Sequence, residues 1–206
     1  MGGDIDKTIK AIELLRRIGI KVVVKFLIMK DNVGEFSAVK SLAEEIGADF
    51  VFDYCVVSKN DNSSSPLEYR LDRRGIKDFL IANHIVLNEK EAGDDALLCS
   101  AGLNNIFITP YLDVYPCIGL NLKAGNLRKQ TLREIWASRG LSFVRNIKFS
   151  ELYKCKNCSS RQFCYRCAGI ALVEDGDVFG PSNFDCSAAE VIKEIIRERG
   201  KGVNYG

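Results

Sequence analysis

The sequence contains a single histidine, His84, no glycine-rich phosphate loop and no serine–histidine–aspartate set. Nucleotide chemistry on a P-loop and serine-nucleophile hydrolysis therefore have no foothold in it. Long apolar runs are also missing, so no membrane span is read. The N-terminus, MGGDIDKTIK, lacks the apolar stretch of a signal peptide. The chain is accordingly expected in the cytoplasm, where thiols stay reduced, which argues against structural disulfides. Charge of one sign is scarce as well: the net charge is +2, so no strong field points to nucleic acid or to a membrane surface. The 206 residues suffice for one large domain or two small ones, each with a core.

What the sequence does have is cysteine. Of its 8 cysteines, all but Cys55 lie from residue 99 onward. Cys99 and Cys117 come first. Cys155, Cys158, Cys164, Cys167 and Cys186 then follow as C-x2-C-x5-C-x2-C-x18-C. Thiolate sulfur is a ligand for zinc and for iron–sulfur clusters, and a C-x-x-C pair on a tight turn can present two sulfurs to one centre. Zinc ribbons usually place about a dozen residues or more between their C-x-x-C pairs. Five residues make a single four-thiolate zinc site awkward. An iron–sulfur core holds its ligands farther apart and suits a crowded loop. On spacing alone, zinc and unligated thiols stay open as alternatives.

The two halves differ in texture. Residues 1–57 read as helix, glycine, buried strand, twice over. Ile9, Ile12, Leu15 and Ile18 mark one helix, ended by Gly19, before the β-rich run Lys21 to Ile28. Asn32 is placed as an N-cap, and Phe36, Val39, Leu42 and Ile46 mark a second helix, ended by Gly47, before a strand from Phe50 to Val57. This pattern implies parallel strands whose edges are completed or covered by something else. A polar loop at 58–66, a helix at 71–83 and an acidic stretch at 87–95 lead into the second half. There, 105–109 and 114–118 read as a short hairpin. Thr131-Leu-Arg-Glu134 reads as a capping box opening a helix through Trp136, with Trp136 in the core. Ser187-Ala-Ala-Glu190 reads as another, opening a last helix with Val191, Ile192 and Ile195 inward. Little regular structure is expected between them, as where a metal supplies part of the folding energy.

Cys99, Cys117 and the run from Cys155 to Cys186 resemble the SPASM domain, the C-terminal extension of many radical SAM enzymes. Ile108-Thr-Pro110 with Val114-Tyr-Pro-Cys117 is similar to that family's hairpin. Ala124-Gly-Asn-Leu127 with Leu132-Arg-Glu-Ile-Trp136 is similar to its linking segment. Gly19 to Val24 with Asn32, and Phe50 to Val57 with Ser65 to Leu71, resemble the last strands of a radical SAM barrel. The resemblance implies an α/β fold: a partial barrel (the last βα units of a TIM-like barrel) over 1–90, then a small, loop-rich α+β SPASM iron–sulfur domain over 91–206. It also implies two auxiliary [4Fe–4S] clusters. Cys99, Cys117 and Cys167 would hold the one nearer the barrel, and Cys155, Cys158, Cys164 and Cys186 the distal one. The implied partners are a peptide or protein substrate and an electron donor such as ferredoxin or flavodoxin.

There are departures from the family pattern. Leu112 stands where the family usually has glycine, so the hairpin turn is expected to differ. Cys164 and Cys167 are separated by two residues where three are usual. The proximal set has three cysteines and no fourth, which leaves an open iron site or a borrowed ligand. The C-x3-C-x2-C motif that holds the SAM-cleaving cluster is absent, so S-adenosylmethionine enters only with a complete barrel. The chain reads as the C-terminal part of a radical SAM maturase: a fragment, a split subunit or a truncated gene. A stand-alone ferredoxin-like carrier and a zinc-stabilised interaction module are the alternatives.

Other residues carry less. Cys55 reads as a small buried residue of a strand, and His84 as a surface or packed side chain. Asp113, Asp175 and Asp177 read as polar turn residues. Lys154, Lys156, Arg161 and Arg166 surround the cysteine loop, either to offset the charge of a cluster, to dock an acidic donor, or as a solvated face.

Overall fold

The computed structural model describes residues 4–59, 61, 63–89 and 93–200. The polar loop at 58–66 and the acidic stretch at 87–95 each include residues outside this set, and the boundary drawn between residues 90 and 91 falls outside it. The chain forms two compact units, one of residues 1–56 and 66–84, the other of residues 57–65 and 85–206.

The first unit is built from α1 (Ile5–Arg17), β1 (Val23–Leu27), α2 (Phe36–Glu45), β2 (Asp49–Asp53) and α3 (Arg73–Ala82). Asp4 caps α1 by accepting the Lys7 backbone N–H at 3.2 Å. Gly19 and Gly47 follow the first two helices at φ +80° and +63°, left-handed conformations that glycine adopts without a Cβ penalty. β1 and β2 pair in parallel, Val23 opposite Asp49 through Leu27 opposite Asp53. The strands are shorter than the apolar runs in the sequence, and they are covered on one face only. On that face Phe36 of α2 sits 5.6 Å from Phe50, 5.3 Å from Phe52 and 5.0 Å from Phe79 of α3, ring to ring, all edge-on. On the other face Val23, Leu27 and Val51 are exposed. α1 buries none of its residues, and Leu14, Leu15 and Ile18 are exposed.

Asn32 stands at the N-cap position of a single 3-10 turn, Val33–Glu35, that leads into α2, but its side chain makes no capping hydrogen bond. Its side chain turns back instead, accepting the Met29 N–H at 2.7 Å and donating to Leu27 O at 3.0 Å. The carboxamide closes the end of β1, because that strand end offers a donor and an acceptor together. Cys55 lies just past β2, half-buried, with its backbone N–H donated to the Asp53 carboxylate at 2.9 Å. It is therefore not a strand residue. His84 is exposed, in a left-handed conformation at φ +49° just after α3.

The second unit contains β3 (Phe107–Ile108), β4 (Asp113–Tyr115), β5 (Gly125–Asn126), α4 (Leu132–Trp136), α5 (Arg139–Arg145), α6 (Ala168–Asp175) and α7 (Asn183–Gly200). β3, β4 and β5 form an antiparallel meander, so the expected hairpin gains a third strand. Leu112 occupies φ +66° at the β3–β4 turn. That conformation costs a branched side chain about 1–2 kcal/mol and costs glycine nothing. The turn is thus built in a conformation glycine favours, with a strained leucine in it. The Thr131 capping box forms as read, the side chain accepting the Glu134 N–H at 3.3 Å and Glu134 accepting the Thr131 N–H at 2.7 Å. Ile135, fully buried with Val114 and Leu141, takes the core position of α4. Trp136 is only half-buried, at the edge of that cluster, and Arg145 stacks on it at 5.1 Å.

α7 starts earlier than its sequence suggests. Ser182 accepts the Asp185 backbone N–H at 3.2 Å, and Ser187 lies inside the helix. Val191, Ile192 and Ile195 do face the core. Helices α5 and α6, and 3-10 turns at Cys155–Asn157 and Arg161–Phe163, give the cysteine region more regular structure than expected.

Candidate metal centre

All the cysteines of the second unit but Cys99 sit near the beginning or end of an element. Cys117 follows β4 and opens a turn in which Leu120 N–H donates to Cys117 O at 3.4 Å. Cys155 opens one 3-10 turn, and Cys158 and Cys164 close the two turns. Cys167 is the N-cap residue of α6, and Cys186 lies in the first turn of α7. Sulfur at a helix N-terminus is held in a field that favours thiolate.

Backbone N–H groups are aimed at several of these sulfurs. Ser160 N–H donates to Cys158 Sγ at 3.5 Å. Burial pushes the Cys117 thiol up, and the N–H groups of Gly119 and Leu120 pull it back. Burial likewise raises Cys167, opposed by the N–H groups of Ile170 and Gly169. The Cys164 thiol is pushed up to about 12, first by burial, then by the charges of Asp185, Cys186 and Cys155, and the Arg166 backbone N–H opposes them. The recurring donor two residues beyond the cysteine is a local turn geometry that would stabilise sulfur carrying negative charge.

The sulfurs fall into two neighbourhoods. Cys117 interacts electrostatically with Cys167 and Cys99, and Cys167 with Cys99. Cys155 interacts with Cys158, Cys164 with Cys186 and Cys155, and Cys186 with Cys155 and Cys158. Cys155, Cys158, Cys164 and Cys186 also line one cavity of about 70 Å³, together with Phe149, Ser160 and Arg161. Among the described residues, no three His, Cys, Asp or Glu side chains converge on a position for a single metal ion.

Two close approaches set the neighbourhoods. In α6, a Cβ on Gly169 would lie within contact distance of Gly119 O and 2.6 Å from the Gly119 carbonyl carbon. The absence of a side chain lets α6 press against the Cys117 turn, which brings Cys117 and Cys167 together. Asp185, buried in α7, accepts the Cys167 backbone N–H at 2.8 Å and neighbours Cys164, Cys155 and Cys186. One carboxylate thus stands between the two groups of sulfurs.

A family model described as an iron–sulfur cluster-binding domain, SPASM, matches residues 99–159. Over 84–86% of its length the chain also aligns with AdoMet-dependent heme synthases. It is 26% identical to that of Methanosarcina barkeri and 22% identical to that of Oleidesulfovibrio alaskensis. These likenesses support a radical SAM C-terminal region with a SPASM domain at residues 99–159. The chain spans 59% and 53% of the length of those two relatives. Its fold is similar to that of anSMEcpe, solved with bound AdoMet and a Kp18Cys peptide. The TM-score is 0.53 at 16% identity, covering 97% of this chain and 62% of that one.

The SPASM match includes Cys99, Cys117, Cys155 and Cys158; Cys164, Cys167 and Cys186 lie beyond its end. Most of the other polar residues singled out in the sequence hold the scaffold of the second unit. Asp113 binds Lys123 at 2.5 Å and accepts from Asn126 at 2.6 Å, contacts that hold its carboxyl below the usual range. Asp175 accepts from Asn183, the first residue of α7. Asp177 is lowered by the Phe179 backbone N–H and then by Tyr153. Lys154 and Lys156 are exposed. Arg161 is partly buried, paired with Asp94 at 2.5 Å and stacked on Phe149 at 4.2 Å.

Residues that cysteine spacing does not reveal complete the site. Asp185 is one. Another group is the Ser159–Ser160–Lys193 cluster, in which buried Lys193 donates to Ser159 at 3.1 Å and to Ser160 at 2.9 Å, while Ser160 donates to Glu190. The sequence signal for Asp185 is the Ser182-x-x-Asp185 cap, directly before Cys186.

Proposed function

We propose that this chain holds two auxiliary [4Fe–4S] clusters in a radical SAM/SPASM oxidoreductase. The proximal one is held by Cys99, Cys117 and Cys167, and the distal one by Cys155, Cys158, Cys164 and Cys186. Residues 1–90 supply the last βα units of the TIM-like barrel. The carrying observation is the cavity walled by the four distal cysteines. Such clusters, when bound, supply one-electron transfer or an open iron site for a substrate.

The protein's part is to hold and tune. The turns at Cys155–Asn157 and Arg161–Phe163 aim sulfur inward. The N–H groups of Gly119, Ser160 and Gly169 stabilise the charge on sulfur. Phe149 closes the cavity wall against water, which raises the weight of each nearby dipole. The proximal set, with three cysteines, leaves one iron position for a substrate or another ligand. The half-covered sheet of the first unit suits a fold completed by further strands. An electron donor such as ferredoxin or flavodoxin, in a reducing cytoplasm, would supply electrons. Among the described residues no helix is long and apolar enough to cross a membrane.

The substrate admits two readings. Bound peptide in anSMEcpe supports a peptide- or protein-modifying maturase. The heme synthases, aligned over most of this chain, favour a tetrapyrrole instead. Binding of a cysteine-bearing peptide and of a tetrapyrrole to the reconstituted chain, compared by calorimetry, separates them.

Anaerobic purification and reconstitution test the cluster reading. The expected product is brown, with broad visible absorption and equal iron and sulfide, about eight of each per chain for two cubane clusters. A colourless protein with stoichiometric zinc would overturn the assignment.

A further inference from the structure

Four cations surround the cysteine loop, and the structure sets one of them apart. Arg166, between Cys164 and Cys167, is 6% exposed. Its guanidinium is clamped by three hydrogen bonds: Nε donates to Gly180 O at 3.0 Å, and Nη2 donates to Val178 O at 2.6 Å and to Gly180 O at 2.5 Å. The 178–180 turn is itself fixed by Asp177, which accepts the Phe179 N–H at 2.9 Å and the Tyr153 O–H at 2.9 Å. Carbonyl oxygens orient a cation without neutralising it. Nη1 is left buried without a hydrogen-bond partner of good geometry among the described residues. The groups that feel the Arg166 charge are Cys155, Asp177 and Tyr153. Asp177 is already occupied by its own two donors.

We infer that Arg166, buried in the chain between Cys164 and Cys167, is a positioning residue for the distal cluster, holding a cationic N–H donor near Cys155 and thereby raising the reduction potential there. The inference rests on the two-cluster reading. A buried guanidinium whose hydrogen bonds go to neutral carbonyl oxygens is costly, and a thiolate-ligated cluster adds negative charge to that of Asp177 in offsetting it. Reduction adds negative charge, so a fixed cation nearby stabilises the reduced form. Lys154 and Lys156 are exposed to water and screened, so they exert a weaker pull.

The test is an EPR-monitored redox titration of the full chain, reconstituted anaerobically and reduced with dithionite. Arg166→Gln removes the charge, and Arg166→Lys keeps it without the planar fork. In Arg166→Gln one of two reduction transitions should fall by tenfold or more in the reduction equilibrium, about 59 mV for a one-electron couple, while the other stays. Arg166→Lys should recover part of that shift. A second measurement does not need the Arg166 variants to load: in a loaded Arg161→Lys chain labelled with 15N-arginine, the reduced cluster should show a 15N hyperfine coupling. A loaded Arg166→Gln chain with both transitions unmoved, or absence of that coupling, overturns the inference. A wild-type chain that binds no iron overturns the cluster reading and this inference together.

Discussion

Gly169→Ala is expected to cut the iron bound by the reconstituted chain from about eight to about four per chain, by removing one cubane cluster and sparing the other. The added methyl would collide with the Gly119 carbonyl, 2.6 Å from its carbon, and would come within 3.2 Å of the Leu120 nitrogen. Both obstacles are backbone, so no side chain can swing aside. Either α6 or the Cys117 turn must shift, at a cost of about 1–3 kcal/mol or more by analogy with overpacked cores. That shift should separate Cys117 from Cys167, two of the three proposed proximal ligands, while the Cys155–Cys186 cavity keeps its walls. Gly140→Ala is the control, because a Cβ there meets only ordinary contacts, 3.7 Å from the Ala124 Cα. Iron analysis and EPR of the two variants decide the matter: an unchanged iron content in Gly169→Ala would contradict the role given to this contact.

The second large effect is expected from pairs of cysteines chosen within or across the two sets. Cys155→Ala with Cys186→Ala removes two distal ligands and should leave about four irons and a single reduction transition. Cys164→Ala with Cys167→Ala, though only three positions apart, should damage both clusters, because the proposal assigns each residue to a different set. Loss of the distal cluster should also lower the thermal midpoint of the second unit, since Cys186 ties α7 to the 3-10 turns through that cluster. If the neighbouring pair Cys164/Cys167 instead behaved as the within-set pair does, the interleaved assignment would be wrong.

Much of this was readable from the chain. The cysteine spacing favoured iron–sulfur over a zinc ribbon, and the glycines after α1 and α2 marked both helix ends. What spacing could not carry was which sulfurs share a neighbourhood; that division came from the family resemblance. α6 escaped notice for a physical reason. Ala168, Gly169, Ile170 and Ala171 are all buried, so the first half of the helix shows no polar face in the sequence. The start of α7 was misplaced because two Ser-x-x-acid patterns lie five residues apart. Ser182 captured the free N–H of Asp185, while Glu190 of the later pattern turned to Ser160. Arg166 looked the same as Lys154 in sequence; only the carbonyls of Val178 and Gly180 distinguish it, and they lie 12 and 14 positions away.

Iron anomalous diffraction from crystals of the anaerobically reconstituted chain tests the central claim most directly. The account predicts two separate iron peaks, one enclosed by Cys155, Cys158, Cys164 and Cys186, the other bounded by Cys99, Cys117 and Cys167 with one iron free of cysteine. A single peak drawing ligands from both sets, or a zinc edge in place of iron, would contradict it.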